Sequence, residues 1–240
     1  MRPHEDPPRH GGREEDVWEE GSRGGPKRPR RAEVASGAEW SYRGKVVLAP
    51  MVRVGTLPFR ILAQNYGADI VYSEELIDHR LLRCQRVVDE PLAAAGPVGA
   101  AGFASAWERP ERTIRYVVKN DQKVKTGPER TVFQTYEGEP VVLQLGTGDA
   151  VRALQAAQVV ARDVRAIDIN MGCPIHFSVQ GGMGAALLSK PEMMHDIVST
   201  LKRNLNMPIT VKIRLLEDER ALTELGLRAE VRPLTACTAV

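Results

Sequence analysis

From residue 45 onward, short apolar runs of strand length alternate with stretches of helical period, and this alternation constrains the fold more than any other feature of the chain. It calls for a parallel sheet assembled from βαβ units. Residues 46–50 read as the first buried strand and 69–73 as the second. The helix between them is predicted to be capped by Thr56, to carry Pro58 in its first turn, to turn Leu57, Ile61 and Leu62 to the core, and to stop at Gly67. A second helical stretch would then align Ile77, Leu81, Cys84 and Val88 on one face, which makes Cys84 a small core residue. Residues 141–145 form the third expected strand, followed by a helix from Asp149 with Val151, Leu154, Ala157 and Ala161 on its buried face. The fourth strand passes through residues 167–170, and a helix starting near Pro191 leads to the fifth, 209–214.

Two regions do not follow this rhythm. Residues 1 to about 40 are rich in Pro, Gly, Arg and Glu and poor in aliphatics, so they read as a disordered extension that cannot offset the entropy of ordering. Their basic run Pro26-Lys27-Arg28-Pro29-Arg30-Arg31 reads first as a solvated charge run, ahead of a nuclear address or an RNA contact. Residues 91–130 are expected to be an irregular insertion without its own fold. No run of about 18 apolar residues is present, so no membrane span is expected. Three cysteines (Cys84, Cys173, Cys237) without CxxC spacing argue against a disulfide framework or structural zinc and for a reducing compartment. A net charge of +2 is too mild to identify a nucleic-acid partner.

The polar residues on these strands carry the functional signal. Along the fourth strand the period of two places Ile167 and Ile169 on one face and Asp168 and Asn170 on the other, just before Met171-Gly172-Cys173-Pro174 presents a thiol in a turn. On the fifth strand Thr210, Lys212 and Arg214 share one face, opposite Ile209, Val211 and Ile213. In a parallel barrel the active site lies at the C-terminal ends of the strands, where Glu75, Gln144, Asn170 and Lys212 would converge.

Several segments in order then resemble one family. Ala49-Pro50-Met51-Val52, Glu74-Glu75-Leu76, Gln144-Leu145-Gly146, Asn170-Met171-Gly172-Cys173-Pro174, Gly181-Gly182-Met183-Gly184 with Ala185-Ala186-Leu187-Leu188, and Lys212-Ile213-Arg214 are similar to the flavin-dependent tRNA dihydrouridine synthases, nearest to the eukaryotic enzymes that reduce a D-loop uridine. The resemblance spans residues 44–90 and 131–217. It implies a TIM-type (β/α) barrel, of which the five strands would be the N-terminal, incomplete part. It also implies FMN as cofactor, NADPH as electron donor, tRNA as partner and a cytoplasmic location.

The resemblance further assigns roles by position. Cys173 would give a proton to C5 of the uracil as a general acid, a role that suits an ordinary thiol, which is mostly protonated at neutral pH. Asn170 and Arg214 would hold the substrate. Pro50, Met51, Val52, Glu75, Gln144 and Lys212 would hold the flavin, with Lys212 facing the anionic reduced ring. No metal site is implied. Gly181 to Gly184 would be a mobile loop beside the uridine pocket, in preference to a phosphate cradle. Set against the family, the chain is expected to comprise an extension over 1–43, a partial barrel over 44–216 interrupted by 91–130, and an atypical tail over 217–240. The later strands, which usually carry the cofactor phosphate, and a C-terminal RNA-binding domain have no counterpart, so these residues read as a fragment or isoform of such an enzyme. Two alternatives stand beside it: an FMN barrel oxidoreductase acting on a free pyrimidine, and a non-catalytic product that binds RNA or a partner.

Overall fold

The computed structural model describes residues 41–89, 112–118 and 130–214. Expectations for the extension before residue 41, for the rest of 91–130 and for the tail from 217 lie outside the described residues. In chain order the elements are β1 (Val47–Leu48), α1 (Leu57–Asn65), β2 (Ile70–Ile77), α2 (Asp78–Leu81), β3 (Cys84–Asp89), β4 (Thr113–Val118), β5 (Arg130–Tyr136), β6 (Val141–Gly146), α3 (Ala150–Val160), β7 (Ala166–Met171), α4 (His176–Gln180), a 3₁₀ turn (Gly184–Ser189), α5 (Pro191–Asn204) and β8 (Ile209–Ile213). The first, second, sixth, seventh and eighth strands form one parallel sheet in the order β1-β2-β6-β7-β8, the expected five strands of a partial barrel.

The two faces of that sheet differ in chemistry. Leu143, Leu145, Ile167, Ile169 and Met171 are fully buried in the main core together with Ala153, Ala157 and Val160 of α3 and Ile197 and Leu201 of α5. Each large aliphatic buried this way contributes roughly 1.5–3 kcal/mol. On the inner face Ile70, Tyr72, Val142 and Ala166, with Val47 and Tyr42, make a small separate cluster that plugs the N-terminal end. Polar residues occupy the rest of that face.

Three expectations are corrected. The helix over Ile77 to Val88 is a single turn, α2, followed by β3, because residues 84–89 pair antiparallel with β4 from Cys84↔Val118 to Asp89↔Thr113. Pairing decided the state of Val87 and Val88, whose β-branched side chains suit a strand. The segment 91–130 contains strand Thr113–Val118, which is the centre of the three-stranded sheet β3-β4-β5, so this part is folded. On α3 the buried stripe is Ala150, Ala153, Ala156, Ala157 and Val160, while Val151 stands 62% exposed. The helix begins after Asp149 as expected, and the Asp149 side chain caps it, accepting from the Arg152 N–H at 2.8 Å.

The antiparallel sheet is fixed to the parallel one by buried ions. Arg60 on α1 is 1% exposed, and its guanidinium forks onto Glu139, Nε to Oε1 at 2.7 Å and Nη2 to Oε2 at 2.9 Å. It also donates to the Gly55 carbonyl at 2.7 Å and to the Gln134 carbonyl at 2.6 Å, while the Thr135 hydroxyl donates to Glu139 at 2.6 Å. The Phe133 ring lies 5.5 Å beneath it. The expected helix face named Ile61 and Leu62, which are only half-buried; Arg60, just before them, is the deeper residue. A second fork joins Arg86 of β3 to Asp163 after α3, at 2.6 and 2.9 Å, and the Tyr116 hydroxyl donates to the same carboxylate. Removing one partner of a buried pair strands the other charge. Arg60→Ala is therefore expected to lower stability by about 3–5 kcal/mol, read as a shift in the urea unfolding midpoint at unchanged slope; a shift worth less than ~1 kcal/mol contradicts the clamp.

Candidate functional site

The residues singled out on the strands do meet at one end of the inner face. Cross-strand register sets Glu75 beside Gln144, Gln144 beside Asp168, Asp168 beside Thr210, and Asn170 beside Lys212. Glu75 joins this row through an irregularity in β2: Tyr72 pairs with Val142 and Glu75 with Gln144, three residues against two. A bulge of this kind re-aims side chains, so both Tyr72 and Glu75 face inward despite their odd spacing. Within the bulge Ser73 accepts from the Gln144 N–H at 3.0 Å.

The loop from Pro50 to Thr56 is pressed onto that bulge. A Cβ at Gly55 would lie 2.9 Å from the Glu74 nitrogen, so only glycine fits there. Arg53 takes a left-handed φ of 66° and donates its N–H to the Glu74 carboxylate. Arg60 holds the Gly55 carbonyl from behind. Pro50 is half-buried in this loop, and Met51 and Val52 are exposed on it. Thr56 is at the helix start, but its hydroxyl bonds back to the Val54 carbonyl and does not cap.

Asp168 is the electrostatic centre of the row. It is 1% exposed, accepts from Gln144 Nε2 at 2.8 Å and from the Thr210 hydroxyl at 2.7 Å, and lies near Lys212. Burial pushes its carboxyl up to about 6 in spite of those two hydrogen bonds and the lysine charge. Beneath it the Tyr72 hydroxyl, 2.6 Å from the Tyr42 hydroxyl, is raised by burial and then by the Asp168 charge. Burial also raises the Glu75 carboxyl, and a hydrogen bond from Asn170 offsets this only in part. One Glu75 oxygen, Oε1, is buried without a partner among the described residues.

Asn170 organises the turn that carries the thiol. Its Oδ1 accepts from the Gly172 N–H at 3.1 Å and the Cys173 N–H at 3.0 Å, which leaves the amide nitrogen as its donor to Glu75 and to any ligand. Cys173 is half-buried at the end of β7. The glycine-rich segment closes on it from behind: a Cβ at Gly184, where φ is +59°, would meet the Cys173 carbonyl at 2.5 Å, and the Ala185 N–H donates to that carbonyl at 2.8 Å. The N–H groups of Gly181, Gly182 and Met183 are spent on carbonyls of α4. This segment is a packed brace, with three of its four amides committed to the protein. Lys212 and Arg214 are exposed at the end of β8.

The row thus unites Glu75, Gln144, Asn170 and Lys212, with Cys173 just beyond it and Pro50 to Val52 on the loop above the bulge. Sequence reasoning left Asp168, Thr210, Tyr72 and Ser73 out of the site. Asp168 and Thr210 were detectable, since each shares a strand face with a chosen residue; Tyr72 was hidden by the bulge, which no period reveals.

A flavin ring is tested by the unpartnered Glu75 oxygen. Such a buried atom is open to a ligand, able to accept from an N–H when ionised or to donate to a carbonyl or ring nitrogen when protonated. The residues present fit the ring end of FMN.

Fold and site together define a parallel β/α-barrel protein whose polar side chains gather at the C-terminal ends of its strands. The family model described as Dihydrouridine synthase (Dus) matches residues 104–232. The chain is 40% identical over 205 residues to the NAD(P)+ tRNA-dihydrouridine(20) synthase of Saccharomyces cerevisiae, covering 82% of this chain and 48% of that protein. It is 36% identical to the enzyme of the same name in Schizosaccharomyces pombe, over 81% of this chain and 38% of that one. A tRNA-dihydrouridine(20a/20b) synthase-like protein of Mus musculus is 29% identical over 77% and 45%. The chain belongs to the dihydrouridine synthase family. It spans about half the length, or less, of these curated relatives. No described helix is long and apolar enough to cross a membrane.

The raised Asp168 carboxyl has a measurable consequence. A carboxyl whose folded value exceeds its unfolded one binds protons more tightly when folded, so stability falls as pH rises from about 4 through about 6. The fall is expected to be on the order of 3 kcal/mol, with Glu75 adding in the same direction. Asp168→Asn should flatten it, as read from urea unfolding at stepped pH; an equal slope in both proteins would show that Asp168 is not the titrating group.

Proposed function

We propose that this chain is the N-terminal barrel portion of a tRNA dihydrouridine synthase that reduces uridine 20 of the D-loop to 5,6-dihydrouridine, with FMN as cofactor and NADPH as electron donor. The observation that carries the reading is the inner-face row of Glu75, Gln144, Asp168, Asn170 and Lys212 with Cys173 beyond it. Identity to proteins named for position 20 supports the substrate. A cytoplasmic location belongs to the same reading, whereas the expected departure of the tail from residue 217 does not, since the family model matches through residue 232.

In this reading Pro50, Met51, Val52, Glu75, Gln144 and Lys212 hold the ring, the first three through the loop seated on the β2 bulge. FMN, when bound, supplies the hydride that uracil C6 receives. Lys212 places a positive charge where charge accumulates on reduction. Asn170 keeps one N–H for a uracil carbonyl, because its oxygen is already bound to the Cys173 turn. Arg214, exposed at the end of β8, holds the substrate in this reading. As the C5=C6 double bond is reduced, Cys173 gives the proton that C5 requires, and the thiolate is reprotonated from solvent.

Cys173→Ala is expected to leave FMN binding and flavin reduction by NADPH unchanged and to lower dihydrouridine formation in unmodified tRNA by about 10²–10⁴-fold, measured by mass spectrometry of the digested tRNA. Dihydrouridine formed by this variant at the parent rate would remove Cys173 from the chemistry.

A further inference from the structure

The Gln144 side chain offers both a donor and an acceptor, and the structure decides which one a ligand meets. Gln144 is 3% exposed and stands between two carboxyl groups on the inner face, Glu75 on β2 and Asp168 on β7. Its Nε2 donates to Asp168 Oδ2 at 2.8 Å, while Glu75 Oε1, the competing acceptor, stays buried without a partner among the described residues. Asp168 is itself held by hydrogen bonds from two strands. The Thr210 hydroxyl of β8 donates to its other oxygen at 2.7 Å, the Lys212 charge acts on it from the same strand, and Tyr72 of β2 lies close enough to feel its charge. An ionised carboxylate accepts only, and hydrogen bonds to it are stronger than neutral ones, so the amide cannot flip without giving up its best partner.

We infer that Asp168 is a positioning residue that fixes the polarity of Gln144, so that Gln144 offers its carbonyl oxygen as the acceptor for a ligand and selects a ring with an imide N–H at that place. The inference rests on the flavin reading above. In an oxidised isoalloxazine the one ring N–H is the imide N3–H, so the ligand property read by Gln144 is that proton. Asp168 touches no ligand and acts through the Gln144 amide.

The test uses the full 240-residue chain and flavin fluorescence quenching with two probes, FMN and 3-methyl-FMN, which lacks the imide proton. The parent chain is expected to bind 3-methyl-FMN about tenfold more weakly than FMN, the size of one hydrogen bond at a buried site. Asp168→Ala should weaken FMN about tenfold and abolish the preference between the probes. In a Gln144→Leu background the same Asp168→Ala change should have no further effect on FMN, because a residue that works through Gln144 has nothing left to orient. The double variant removes both partners and leaves no buried amide orphaned, and apo melting curves report whether each variant is folded. Equal binding of the two probes by the parent chain would overturn the inference without any variant. So would additive losses in the double-mutant cycle, which mark Asp168 as merely structural. A parent chain that binds neither probe overturns the flavin reading itself and, with it, the role given to Asp168.

Discussion

The buried Arg60 guanidinium is the joint on which the rest of the molecule turns. Four hydrogen bonds run from it, two to Glu139 and one each to the Gly55 and Gln134 carbonyls, so one side chain on α1 ties together the β1–α1 loop, strand β5 and the turn into β6. A planar fork suits this work where an ammonium would not, because it satisfies a carboxylate bidentately and still reaches two carbonyls. The same contacts press Gly55 against the β2 bulge. The position of the Pro50 to Val52 loop therefore follows from an ion pair whose acid lies 79 residues further along the chain.

The bulge converts that mechanical constraint into chemistry. A regular strand through Tyr72 and Glu75 would put them on opposite faces; three residues against two keep both inside. The inner face then stacks a plug of Ile70, Tyr72, Val142 and Ala166 under a layer of Glu75, Gln144, Asp168 and Thr210, with Asn170 and Lys212 toward the C-terminal ends. Burying an acid in such a layer costs stability, and Asp168 shows it in its raised carboxyl. Natural sites accept costs of this kind where a fixed polar group is needed.

Most of the parallel sheet was legible in the sequence, since βαβ order, the apolar runs of β6 and β7 and the cap at Asp149 are local signals. Cys84 to Val88 misled because i, i+4 spacing of apolar residues fits a helix while their strand state depends on β4, 24 or more residues away in sequence. The face of α3 misled because Val151 is more hydrophobic than the alanines beside it, yet the alanines are the residues buried in the core with α5. At the site, the convergence of Glu75, Gln144, Asn170 and Lys212 was readable from strand-end positions. The commitment of Asn170 Oδ1 to the Cys173 turn and of Gln144 Nε2 to Asp168 was not.

The sequence by itself determined the fold class, the strands that matter and the residue types at their C-terminal ends, because periodicity and turn chemistry act over a few residues. Only the tertiary structure decided where the bulge falls in β2, which loop it seats, that residues 84–89 and 113–118 pair as strands, and which atom of each amide is spent. Those outcomes depend on partners brought together from distant parts of the chain, and hydrogen-bond polarity is set by the neighbour across the sheet.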